Sequence, residues 1–360
     1  MTVEFIGMIH HREASEILAP PPVIMDRGYV RDFARAAEAG GFDKVLVGYY
    51  SDGPDGFLLA AAAAAHTEKL GFLVAHRPWF VAPTLAARKF ATLDQITGGR
   101  AAIHVISGGD DIDQFRDGDT LPKDDRYART DEYVSVLKRI WTEPGPTVDH
   151  EGRFYRFAGA STAQRCVQQP HIPIYFGGAS DAAIAVSAKH ADVYALWGET
   201  HDQVREITGR LREAAAKHGR SVRVSLSLRP ILAPTEDAAW ARAESIKQRI
   251  IERRAAAGLG PRNPVNEGSK RLLAAAAQGE RLDTRLWMGA ALLTGASGNS
   301  TSLVGTPRQV AEALCDYYDL GVTTFLIRGF NPMEDAIAYG RDLLPLTRQL
   351  IAERTAARVA

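Results

Sequence analysis

The tightest constraint on this chain is an alternation that runs along nearly all of it: short apolar runs separated by helical patterns. Residues 3–9, 44–49, 70–75 and 101–106 read as strands, and so do 172–176, 192–196, 222–228 and 321–327. Each is a brief apolar run bounded by turn residues, the pattern of a strand buried on both faces. Helical stretches lie between them at 26–39, 55–66, 84–96, 127–141, 202–218 and 237–254, and a last one covers 333–350. Asp26 and Asp55 stand as N-caps, and Gly40-Gly41 and Gly98-Gly99 as stops. Eight such units in 360 residues predict an α/β chain folded as a (β/α)8 TIM barrel, a single domain over 1–360. An open doubly wound sheet would normally carry a glycine-rich first turn, whereas the first strand here runs into Met8-Ile-His-His11.

Two segments interrupt the alternation. Residues 146–150 and 154–157 read as a hairpin, and 255–302 is an extended insertion before the last βα unit. Nearly fifty residues are too many for a plain connection, so the insertion reads as a lid over the strand ends or as an oligomer contact. Its glycine and serine content, from Gly258 to the run Gly295-Ala-Ser-Gly-Asn-Ser-Thr301, favours some mobility.

Forty-three basic and 43 acidic side chains give no net charge, which argues against a nucleic-acid or anionic-membrane partner. No apolar run approaches the roughly 18–20 residues of a membrane span, and no basic-then-apolar leader pattern opens the chain. The expected compartment is the cytoplasm. Cys166 and Cys315 are far apart and read as small buried hydrophobes.

Function in such a barrel gathers where strands end. Those ends carry His10 and His11, Tyr49, His76 and Arg77, His104, Trp197 and Glu199, Ser227 and Arg229, Arg328 and Phe330. No HExxH pattern, P-loop or GxSxG elbow is present, so no metal site is expected. The most chemical of the ends is Ile172-Pro-Ile-Tyr-Phe-Gly-Gly-Ala-Ser-Asp181: a strand, two glycines, an N-cap, then a helix. The first-turn amides of a helix lack intrahelical partners and its dipole favours negative charge, while a glycine pair lets an anion approach the backbone. A planar phosphorylated cofactor with a polar or anionic substrate fits such a rim.

These residues resemble the bacterial-luciferase-like flavin monooxygenases, most nearly the branch of alkanesulfonate monooxygenases that use reduced FMN. The resemblance covers most of the chain and rests on Phe72-Leu-Val-Ala-His-Arg-Pro78, Pro83-Thr-Leu-Ala-Ala-Arg-Lys-Phe-Ala-Thr-Leu-Asp94, Gly98-Gly-Arg100, Tyr175-Phe-Gly-Gly-Ala-Ser-Asp181, Trp197-Gly-Glu199 and Leu303-Val-Gly-Thr-Pro307. It implies that Tyr127 with Gly177, Gly178, Ala179 and Ser180 holds the FMN phosphate. It places Val74 and Ala75 against the flavin ring, where the family often has a non-proline cis peptide, and His104 where relatives have an asparagine facing the flavin. His10 and Trp197 match positions lining the family's active site. The chain departs from the alkanesulfonate pattern at Gly53, Ser227, Arg229, Thr294 and Phe330, which leaves the substrate open.

The activity so implied is a two-component monooxygenase: reduced FMN from an NAD(P)H-dependent flavin reductase, O2, and a small organic substrate. His10 or His104 would move protons near an imidazole's ordinary pKa. Arg229 and Arg328 would hold an anionic group, with His11, Tyr49, Arg77, Trp197, Ser227 and Phe330 lining the substrate site. A homodimer or homotetramer is expected. The alternatives are a deazaflavin-dependent oxidoreductase of the same superfamily, a monooxygenase of a sulfone or other neutral substrate, and a flavin-binding protein without catalysis.

Overall fold

The computed structural model describes residues 3–107, 111–260 and 266–359. The Gly108-Gly109 pair and the insertion's Pro261 and Pro264 lie outside the described residues. Eight strands form the barrel: β1 (Glu4–Ile9), β2 (Lys44–Val47), β3 (Gly71–His76), β4 (Ala101–Val105), β5 (Ile174–Gly177), β6 (Val193–Trp197), β7 (Arg223–Leu228) and β8 (Val322–Ile327). They close in the order β1-β8-β7-β6-β5-β4-β3-β2, so chain order is barrel order, as the alternation predicted. The hairpin forms too, from Thr147–Glu151 and Arg156–Ser161.

The chain separates into two compact units, one of residues 1–45, 195–209 and 223–360, the other of 46–194 and 210–222. In the first, β8 pairs in parallel with β1 (Phe5↔Phe325) and with β7 (Leu226↔Phe325). In the second, β4 pairs with β3 (Val74↔Ile103, Ala75↔His104) and with β5 (His104↔Tyr175). This ladder is regular, and the only cis peptide among the described residues is Gln169–Pro170. The cis bond expected at Val74–Ala75 is therefore absent; both residues stay in an unbroken, fully buried strand.

Helix ends follow the capping residues. The Asp26 side chain accepts from the Tyr29 amide at 2.9 Å and opens Arg27–Ala39; Asp55 does the same for Gly56–Ala64 through Leu58 at 2.9 Å. Gly98 closes Pro83–Thr97 at φ +64°, a conformation that penalises any Cβ. A short helix, Asp111–Arg116, lies after β4, between the strand read at 101–106 and the helix read at 127–141.

The last helical stretch is also not uniform. It runs as Pro332–Ala338, a π-helical turn Tyr339–Leu343, and Leu344–Val359. Inside the π turn, a Cβ on Gly340 would lie 2.4 Å from the Gly40 Cα, so two backbones touch where no side chain fits. Gly340→Ala is expected to cost about 1–3 kcal/mol through overpacking that neither backbone can relieve. Gly209→Ala, in a helix with open space around that position, should instead gain about 0.5–1 kcal/mol. Urea midpoints for the pair test this; equal shifts would show that the close approach is not constraining.

The insertion carries a helix at Glu267–Ala276, where the pattern over Lys270–Ala277 reads as helical, and short strands that its composition did not predict. Arg281–Leu282 and Leu286–Trp287 join Ser302–Gly305 and Ile231–Leu232 in a four-stranded sheet, and helices Glu267–Ala276 and Gly289–Thr294 pack against each other. Trp287, Ala290 and Val304 share a buried cluster with Ile231, Ile246 and Phe330. The segment is packed onto its own unit from within.

Candidate active site

In the unit that contains β3 to β5, the turn after β5 is built around Gly178. Its φ of +131° lies where side chains rarely go, and a Cβ there would stand 2.7 Å from Ala183 Cβ and 3.3 Å from the Tyr127 hydroxyl. Tyr194 donates its hydroxyl to the Gly178 carbonyl, which pins the turn. Ser180 caps Asp181–His190, accepting from the Ala183 amide at 3.3 Å. The buried Tyr127 hydroxyl is hydrogen-bonded to Ser180, and burial raises its pKa, so it is an un-ionised phenol. Next to it, the amides at the start of the helix have no acceptor within it.

Negative charge near the turn comes from Asp181 at the first helical position and from Asp124, which acts on the Tyr127 hydroxyl. The Asp181 carboxylate is exposed and held by Arg210 at 2.5 Å, away from a net negative charge. Glycine where a Cβ would collide, an un-ionised phenol and a capped helix start therefore fit a phosphate monoester.

The same unit carries Arg77, Tyr49 and His104. Arg77 is 7% exposed, lies 4.5 Å over the Tyr49 ring and pairs with Asp113, while its Nε and Nη1 have no partner among the described residues. The Tyr49 hydroxyl donates to Asp117 at 2.9 Å. His76, which shared the rim pattern, is structural: its Nε2 lies 2.6 Å from the Tyr133 hydroxyl, which donates to the Val81 carbonyl. Trp79, just beyond, sits at φ +107° and is half exposed, a strained conformation that the sequence did not signal.

In the other unit the structure gathers His10, Arg229, Arg328 and Phe330 around a residue that the pattern missed, Glu16. Arg229 is 1% exposed; its guanidinium lies 3.5 Å over the Phe330 ring, pairs with Glu16 at 2.8 Å and donates to the Gly329 carbonyl at 3.0 Å. Arg328 donates to the other Glu16 oxygen at 2.7 Å. Burial pulls Arg229 down to about 10, whereas for Glu16 the two guanidiniums outweigh burial and hold the carboxyl at about 2. Trp197 packs on Gly268 of the insertion, where a Cβ would be 3.0 Å from the indole. Ser227 is buried in β7, and the His11 carbonyl accepts from the Asp26 amide at 2.8 Å.

The histidines depart from the expected proton-shuttle range. Burial, and for His10 also Arg328, lowers His10 and His76 to about 3 and His104 to about 4. They are neutral at pH 7; His76 meets the Tyr133 hydroxyl, whereas the buried Nδ1 of His104 has no partner among the described residues. The sign of the linkage follows, because imidazoles that refuse protons when folded but accept them near pH 6.5 when unfolded stabilise the fold above that value. Stability is expected to fall as pH drops from about 6.5 toward 4, by up to about 1.4 kcal/mol per pH unit for each group. Denaturant midpoints across that range should show a shallower decline for His104→Asn; an unchanged slope would overturn the assignment.

Cys166 and Cys315 are buried thiols, pushed by burial to about 12 and about 11, in keeping with packing roles. No helix among the described residues is long and apolar enough to cross a membrane.

A closed parallel barrel of eight βα units with polar side chains at its strand ends is a scaffold on which enzymes place their sites at the strand C-termini. The chain belongs to the luciferase-like monooxygenase family, whose model matches residues 3–324. Solved structures share its fold. One is riboflavin lyase RcaE, solved with modified FMN and riboflavin (18% identity, TM-score 0.76, 97% of this chain and 92% of that one). Another is DmoA from Hyphomicrobium sulfonivorans (22%, 0.75, 97% and 88%). A third is the coenzyme F420-dependent tetrahydromethanopterin reductase from Methanopyrus kandleri (19%, 0.69, 96% and 99%).

Proposed function

We propose that this protein is a two-component flavin monooxygenase, taking reduced FMN from a separate NAD(P)H-dependent flavin reductase to oxygenate a small organic substrate. An alkanesulfonate, cleaved to sulfite and an aldehyde, is the leading substrate class. The observation that supports this most is the Gly178 turn with Tyr127 and Ser180, a cradle for a phosphate monoester within a luciferase-like chain. When bound, the flavin supplies the oxygen chemistry. The chain's own residues bind and orient. Tyr127, Ser180 and the helix start hold the phosphate. His104 and His10 offer hydrogen bonds while staying uncharged, and Arg229 and Arg328 present fixed positive charge to the substrate. The insertion, packed on Trp197, excludes water at that strand end. A homodimer or homotetramer is part of the same proposal.

An anaerobic fluorescence titration with reduced FMN, oxidised FMN and reduced deazaflavin tests it. Tightest binding of reduced FMN, followed by oxygen-dependent sulfite release from alkanesulfonates, is the expected result. A preference for deazaflavin would favour hydride transfer instead, a reading that draws on the likeness to the F420-dependent reductase. Binding of oxidised FMN with no turnover would indicate a flavin carrier. No flavin binding would overturn the reading.

A further inference from the structure

We propose that Glu16 is a specificity-determining residue: an internal counter-anion that leaves its arginine cluster room for one further negative charge and turns doubly charged anions away. This deepens the substrate side of the reading above and rests on it, without using the flavin side.

Glu16 lies in the proline-rich loop after β1, and its two oxygens are divided between two cations. Oε1 accepts from Arg328 Nη2 at 2.7 Å, and Oε2 stands 2.8 Å from Arg229 Nη1. Two guanidiniums against one carboxylate leave a surplus of one positive charge. Water reaches Arg328 and Glu16, whose side chains are 20% and 27% exposed, but not Arg229, which is 1% exposed and where unmatched charge is costly. The match within the chain is incomplete. Arg229 gives Nη2 to the Gly329 carbonyl and its face to Phe330, and among the described residues Arg328 Nη1 reaches only the Met8 sulfur at 3.7 Å. Among the described residues the enclosed Nε of Arg229 and Nε of Arg328 have no hydrogen-bond partner, and the enclosed Glu16 Oε2 meets Arg229 as an ion pair without hydrogen-bond geometry.

An unmatched unit of charge and two enclosed N–H donors describe what the cluster lacks: an oxyanion bearing one negative charge, such as a sulfonate or carboxylate. A dianion would reverse the surplus to one negative charge beside the buried Arg229. Without the Glu16 charge the surplus would be two, and the preference should turn toward dianions.

Calorimetric titration of the flavin-free protein at constant ionic strength, with methanesulfonate and with sulfate, separates these cases. Wild type should bind methanesulfonate saturably and sulfate at least about tenfold more weakly. Glu16→Gln keeps the side-chain size and should raise the affinity for sulfate relative to methanesulfonate by about tenfold or more. Arg328→Gln removes the surplus charge and should weaken methanesulfonate by about tenfold, a readout that survives if the Glu16 variant does not fold. Equal binding of the two anions by wild type, or an unchanged ratio in Glu16→Gln, would overturn the proposal. A failed flavin titration alongside the expected anion ratios would count against the cofactor alone, so the two failures are distinguishable.

Discussion

Gly178→Ala is expected to weaken FMN binding by about 30- to 150-fold, read as the dissociation constant in an anaerobic fluorescence titration. Two costs combine. A Cβ at φ +131° carries about 1–2 kcal/mol of backbone strain. It would also approach Ala183 Cβ to 2.7 Å and the Tyr127 hydroxyl to 3.3 Å, so the cradle must open or the first helical turn must shift. Either movement displaces the groups assigned to the phosphate, and about 2–3 kcal/mol in all gives the stated range. Gly159→Ala is the control, since φ there is +66° and the space around it is open. It should carry similar strain and leave the flavin constant unchanged. Tyr127→Phe, which keeps the ring and loses the hydroxyl, should cost about tenfold. Wild-type affinity in Gly178→Ala would remove the phosphate from this turn.

Arg271→Met is expected to destabilise the fold by about 3–5 kcal/mol, more than Glu199→Gln does, as measured by urea denaturation. Glu199, just beyond β6, is 2% exposed and takes a two-pronged contact from Arg271, with Nε on Oε1 at 2.9 Å and Nη2 on Oε2 at 2.8 Å. Arg271 also reaches Glu206 at 2.7 Å and the Gln203 carbonyl at 3.2 Å. The two ends are therefore unequal. Without Arg271 a carboxylate is stranded out of water, whereas without the Glu199 charge Arg271 keeps Glu206 and some solvent. Equal losses would mean that water enters freely around Glu199.

The barrel was legible in the sequence because most of its strands are buried along their length and so appear as mainly apolar runs. The cap at Ser180 and the stop at Gly98 were legible because few residue types do that work: Ser, Thr, Asp or Asn at a cap, glycine at a left-handed stop. Glu16 was not legible. Its role depends on a partner 312 residues away, and a lone glutamate in a proline-rich loop carries no periodicity. The sheet strands at Arg281–Leu282 and Leu286–Trp287 are two residues long, too short for alternation to register. Nor did sequence anticipate the low histidine pKa values, since burial is a property of the folded surroundings.

The insertion is fastened in several places: strand pairing between Ile231–Leu232 and Ser302–Gly305, the Arg271 fork on Glu199, and the Ser269 hydroxyl on the Ala296 carbonyl at 2.7 Å. A segment tied at one end swings; one tied at several moves by releasing them together. Its opening is then a cooperative sub-global event with its own free energy, rather than a fast fluctuation of a loop tip. Natural variation in this segment would accordingly be tolerated as whole-module exchange more readily than as residue-by-residue drift at its anchor points.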